Sequence, residues 1–140
     1  MSLDRDKITA AALSLLSPRV KFKPYGRNPK YGLDCIGVVL WVGKQCGYLA
    51  ADLKLPPYAY PPQREMFDLF DQMAVRRDDP EQGCIAVFAY SEDAPQHAGI
   101  VVQADGEWRA VGIDPGGHGT VTISPLDTVH IWRFYDFSSA

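Results

Sequence analysis

The chain has 140 residues, 46% of them hydrophobic and 22% charged, with three cysteines and a formal net charge of −3. That length and balance fit one globular domain over 1–140 that can build its core without disulfide or metal staples. The slight acidity argues against a nucleic-acid partner or an anionic membrane surface, and the longest apolar run, 36–42, is too short to cross a bilayer.

The first section, 1–20, is expected to be an N-terminal helix over 4–17, with Ile8, Ala11, Ala12, Leu15 and Leu16 on one face and Pro18 stopping it. Asp4, Arg5 and Asp6 open it with no long apolar run behind them, so no secretory leader is expected and synthesis is placed in the cytoplasm. The second section, 21–82, holds a cysteine helix and loops. Its Gly/Pro/Tyr-rich stretch 24–32 leads to Gly32-Leu33-Asp34-Cys35-Ile36-Gly37-Val38-Val39-Leu40-Trp41-Val42. Asp34 is a good N-cap, Cys35 then falls in the first turn, and the helix should end near Gly47. The proline-rich stretch 56–62 must be extended, and Pro61 or Pro62 should start a third helix with Met66, Leu69, Phe70 and Met73 inward.

After Asp78-Asp79-Pro80 the pattern changes to strands at 84–90, 97–103, 107–114, 120–124 and 128–135. Asp105-Gly106 is a two-residue hairpin signal. Helices first and an antiparallel sheet afterwards predict an α+β domain.

Two readings of Cys35 stand side by side. A cysteine on an apolar helix is commonly a buried structural residue. A cysteine in a first turn also meets the helix dipole and unpaired N–H groups, which favour the thiolate, the form that attacks carbonyls. Such chemistry needs a base and a group that orients it. Among the three histidines, His97 stands at a strand mouth beside small residues. His118 lies in a Gly-rich loop, and His130 is a polar position on a strand. If Asp105-Gly106 is the turn, Ala104 pairs with Glu107 and His97 falls opposite Asp114, whose carboxylate could hold the imidazole. Three widely spaced cysteines argue for reduced thiols, and neither they nor the histidines show a metal-ligand spacing, so no metal and no cofactor are expected. Tyr58 and Tyr60 fit a substrate groove or simple packing equally well.

Read in order, Pro24-Tyr25-Gly26, Gly32-Leu33-Asp34-Cys35-Ile36-Gly37-Val38-Val39, Gly83-Cys84-Ile85-Ala86-Val87-Phe88 and His97-Ala98-Gly99-Ile100-Val101 resemble the NlpC family of papain-like cysteine peptidases, which cleave bacterial cell-wall peptides. The resemblance spans about 21–137 and implies a papain-like fold with the cysteine helix packed on the sheet. It implies Cys35 as nucleophile, His97 as base and then acid, and Tyr25 and Asp34 on the substrate side. The bond implied is of the γ-D-glutamyl–diaminopimelate type, in the stem peptide of peptidoglycan. The aliphatic Ile36 after the cysteine is similar to the phage-tail and prophage branch, which implies a tail-associated enzyme with tail proteins as partners. Ile36 is itself a departure, standing where the family usually has serine, and two more accompany it. The third polar residue should fall near residues 110–112, where the chain has Ala110, Val111 and Gly112, leaving Asp114 as substitute and His118 as second candidate. Cys84 stands where the family has aspartate and is expected to be structural. The contrasting expectation is a tail assembly protein of the same fold that binds wall peptide or a tail partner without cleaving it.

Overall fold

The computed structural model describes residues 3–58, 65–89, 95–113, 119–126 and 131–138. Three helices and eight strands appear among them. Helix α1 (Arg5–Leu13) is capped by Asp4, whose carboxylate accepts the Lys7 N–H at 3.1 Å. It ends four residues before the predicted stop. The Leu15 and Leu16 N–H groups bond three residues back, to Ala12 and Leu13, which ends the α-helical pattern, and a bridge between Leu16 and Arg19 closes a turn that contains Pro18. The predicted inner face holds where the helix persists: Ile8 and Ala12 are buried, as is Leu15 just beyond it.

Two short strands, β1 (Arg27–Asn28) and β2 (Gly32–Leu33), form a miniature antiparallel pair in place of the expected loop. They lead directly into α2 (Cys35–Gln45), which begins at the predicted N-cap and closes at Cys46 before Gly47. Ile36, Val38, Val39, Leu40 and Val42 are all buried in the main core. Each such side chain contributes about 1.5–3 kcal/mol on burial, so the helix is fixed along its length. Helix α3 (Glu65–Met73) buries Met66, Leu69 and Phe70 as expected, and Phe67 besides. The predicted helix start at Pro61 or Pro62 lies outside the described residues.

Helix α3 runs without a break into β3 (Ala74–Arg77), a strand absent from the sequence reading. Then follow β4 (Ile85–Ala89), β5 (Pro95–Ala104), β6 (Glu107–Gly112), β7 (Thr122–Pro125) and β8 (Ile131–Phe137). They form one antiparallel sheet in the order β3-β8-β4-β5-β6-β7. Strands β4 to β7 are neighbours in chain order, and β8 returns to the far side of β4. The β5–β6 register is the one the hairpin signal predicts, from Ala104 opposite Glu107 to Gly99 opposite Gly112. Positive φ at both Asp105 and Gly106 is what a type I′ turn requires.

The helices cover one face of the sheet. There Ile85, Val87, Ala98, Ile100, Val102, Val111 and Tyr135 share a core with α1, α2 and α3, and α2 packs chiefly on β5. A smaller cluster of Cys84, Ala86, Val101 and Phe134, with Trp108 and Leu126 against it, covers the other face. The α+β architecture with the cysteine helix on an antiparallel sheet therefore stands as expected. No helix among the described residues is long and apolar enough to cross a membrane.

Candidate active site

The site is built from the loop that precedes α2. Pro24 and Tyr25 are the central residues of a turn closed by the Gly26 N–H on the Lys23 carbonyl at 2.9 Å. Pro24 suits the first central position, while Tyr25 takes φ +59° at the second, where glycine is usual. A tyrosine in that strained conformation is held by two hydrogen bonds. Its N–H donates to Asp34 Oδ2 at 3.0 Å, and its hydroxyl donates to the Tyr58 carbonyl at 2.8 Å. The residue is 49% exposed, and its ring lies tilted on Tyr58, with centroids 5.0 Å apart.

Asp34 is the hub. It is buried without exposed surface, and both carboxylate oxygens are engaged. Oδ1 accepts the Gly37 N–H at 2.6 Å, the N-cap bond, and the Arg27 guanidinium at 3.0 Å. Oδ2 accepts the Tyr25 N–H and a short hydrogen bond from the Tyr58 hydroxyl. Arg27 also donates to the Tyr58 oxygen at 2.5 Å and to the Gly26 carbonyl at 2.8 Å. Burial pushes the Tyr58 phenol well above its ordinary value, and the hydrogen bond to Asp34 adds to this, so Tyr58 remains a neutral donor. Burial pulls the Arg27 guanidinium down, but Tyr58 and the Asp34 charge outweigh it and leave Arg27 raised. The result is a closed polar cluster in which the aspartate charge is paired and hydrogen-bonded, as a buried charge requires.

Cys35 follows as the first residue of α2 and is fully buried. Loop and helix meet so closely that a Cβ on Gly37 would lie 2.2 Å from the Gly26 carbonyl oxygen. Only glycine fits two residues past the cysteine, and the contact fixes the turn against the helix mouth.

His97 lies near the start of β5, opposite Phe88, half-buried. Just before it the β4–β5 register shifts, so that Ala89 faces Pro95, a bulge of the kind that re-aims a side chain. The neighbouring Ala98 belongs to the same apolar core as Cys35. The imidazole lies over Gly112 of β6: a Cβ there would come within 2.9 Å of His97 Nε2. Gly112 thus occupies the position beside the ring and brings no side chain to it.

Asp114 and His118 lie outside the described residues, as do His130 and Tyr60. The register that would put Asp114 opposite His97 is followed as far as the Gly99–Gly112 pair. Cys84 is buried, its sulfur accepts the Glu81 N–H at 3.5 Å, and burial pushes its thiol up to about 11. Burial also raises the Cys46 thiol. No group of three or more His, Cys, Asp or Glu residues able to hold a metal ion occurs among the described residues. Sequence reasoning missed the part of Arg27 and the attachment of Tyr58 to Asp34. The only signals were an arginine inside the Pro/Tyr loop and a tyrosine in a proline run.

No family model matches the chain, and no curated protein matches it in sequence. Among solved structures it is similar to one described as the crystal structure of the NlpC/p60 domain of the peptidoglycan hydrolase SagA. The two share 15% identity with a TM-score of 0.58, over 94% of this chain and 97% of that one. The fold is accordingly the NlpC/p60, papain-like arrangement of helices on a six-stranded antiparallel sheet.

Proposed function

We propose that the chain is a cysteine peptidase or amidase that hydrolyses peptide bonds of cell-wall peptidoglycan. The observation that carries this reading is the similarity of its fold, over 94% of the chain, to the NlpC/p60 domain of a peptidoglycan hydrolase, with Cys35 at the mouth of the capped, buried helix. In this reading His97 takes the proton of the Cys35 thiol, and the sulfur attacks the carbonyl carbon of the scissile amide. The resulting oxyanion is met by the Cys35 backbone N–H, a donor at a helix N-terminus. Collapse of the tetrahedral species breaks the C–N bond. The protonated imidazole gives its proton to the leaving amine, and a thioester to Cys35 remains. Water, deprotonated by His97, then releases the acid and regenerates the thiol. Asp114 is the proposed orienting group for His97, and His118 is its substitute. Asp34 acts through its hub: it holds the turn that carries Tyr25, and Tyr25 presents its exposed ring to the stem peptide. The bond proposed is of the γ-D-glutamyl–diaminopimelate type, and the proposed setting is a phage or prophage tail acting on the wall.

One observation favours a second reading, a tail assembly protein of the same fold that binds wall peptide or a tail partner without cleaving it: Cys35 is fully buried. Alkylation of the folded protein against pH separates the two. The peptidase reading predicts that Cys35 reacts below pH 8, well ahead of Cys46 and Cys84, and that His97→Ala abolishes this early reactivity. A Cys35 no faster than the other two thiols would contradict it.

A further inference from the structure

The formal charge of −3 conceals a local excess of the opposite sign. Residues 18–33 hold five basic residues and no acidic one, in a chain with 14 basic and 17 acidic residues. Arg27 is paired with Asp34. The other four, Arg19, Lys21, Lys23 and Lys30, are exposed, and Arg19 also donates to the Val121 carbonyl at 3.1 Å. Three of them alternate along an extended segment, with Val20 buried and Phe22 half-buried between them. That segment is tied down on both sides. Lys21 bridges to Thr120, Val20 accepts the Val121 N–H at 2.7 Å, and Lys21 and Lys23 share backbone bonds with Leu33. Its cations are therefore carried on a fixed rail with about 6–7 Å between alternate residues. Pro18, Arg19 and Lys21 on one side and Pro29, Lys30 and Tyr31 on the other line a shallow pocket. The Lys30 ammonium lies 5.5 Å from the centre of the ring of Tyr31, a residue 65% exposed.

We propose that this rail and pocket form a binding site for a linear phosphodiester polymer, of the kind that decorates bacterial walls. A row of cations at regular spacing suits a ligand whose charges also repeat along a line. A single small anion would engage only one or two of them. Tyr31 and the two prolines supply a flat apolar surface for the carbon backbone between phosphates. The site lies on the stretch that leads into Asp34 and Cys35, so polymer bound there would hold the candidate active site against the wall. The choice of a wall polymer rests on the proposed wall-hydrolase reading; binding itself requires no catalysis.

The test is titration of the full chain with end-labelled poly(glycerol phosphate) at several salt concentrations, with Cys35→Ala run in parallel. Binding is expected at low salt, equal in both proteins, and weakening with salt at a slope that reports about three to four contacts. Lys21→Glu/Lys23→Glu should weaken it at least tenfold without lowering the melting temperature. Lys7→Glu/Lys54→Glu, the same charge change elsewhere on the surface, should leave it within about twofold. Equal weakening by the two double variants would overturn the site, as would absence of binding at low salt. Displacement by inorganic phosphate at equal phosphate concentration would show a single-ion site instead. A duplex DNA of equal charge binding as tightly would show charge attraction without the proposed selectivity. Binding with no wall hydrolysis would leave this site standing and remove the peptidase reading.

Discussion

Asp34 shows how one buried carboxylate can determine where a neighbouring sulfur lies. It caps the cysteine helix through Gly37, anchors the Tyr25 turn, and is charge-paired by Arg27. Taking away the cation while leaving the carboxylate buried is costlier than losing an exposed ion pair. Arg27→Met should lower stability by about 2–4 kcal/mol in chemical denaturation; a loss below about 0.5 kcal/mol would mean the carboxylate is held by its other donors alone. Gly112 makes a separate point about His97. Its missing Cβ leaves the space into which the imidazole settles. Gly112→Ala should displace the ring and, if His97 is the base, lower wall-peptide release at least tenfold. The fold should survive, with a melting temperature only a few degrees lower. Unchanged release from Gly112→Ala would show that the ring position is not what sets activity.

At the scale of elements, the ends of the chain are joined by a charged clamp. Arg5 of α1 donates to both Asp136 oxygens at 3.0 Å, and Arg77 of β3 donates to Oδ2 at 2.7 Å. Burial alone would raise the Asp136 carboxyl, but the hydrogen bonds and charges of the two arginines hold it below its ordinary range. The unfolded chain therefore takes up this proton near pH 4, before the folded chain does. The clamp's contribution is complete above about pH 4 and is lost as the pH falls through the lower folded value. Asp136→Asn should melt several degrees below the wild type at pH 7, and the gap should narrow as the pH falls below the ordinary carboxyl range. A gap independent of pH would mean that packing, and not charge, is what Asp136 contributes. Helix α3 is fastened to β8 near the same clamp: Tyr135 donates to Asp71 at 2.8 Å, and Arg133 lies over the Phe67 ring at 3.9 Å. These contacts account for β3, a short strand with an exposed Val75 and no pattern of its own.

Over the whole molecule, what was legible in the sequence is what local chemistry decides. Asp34 next to an apolar run marks a capped helix, and Asp105-Gly106 marks a type I′ turn and hence a register, because both signals act within a few residues. The sheet order was not legible: β8 returns beside β4, and β3 pairs with β8 from about 60 residues away, without a local signature. The same holds at the site, where Tyr58 reaches Asp34 across 24 residues to complete a cluster that the loop sequence only hints at. A glycine beneath His97 reads in the sequence as a strand weakness, and its meaning depends on the diagonal neighbour across the hairpin. The central claim, that this fold carries a working cysteine nucleophile for wall peptide, is tested most directly by digesting purified peptidoglycan with the wild-type chain and with Cys35→Ala, and measuring released peptide fragments. The account predicts release by the wild type and none above background by Cys35→Ala; equal release from the two proteins, or none from either, would contradict it.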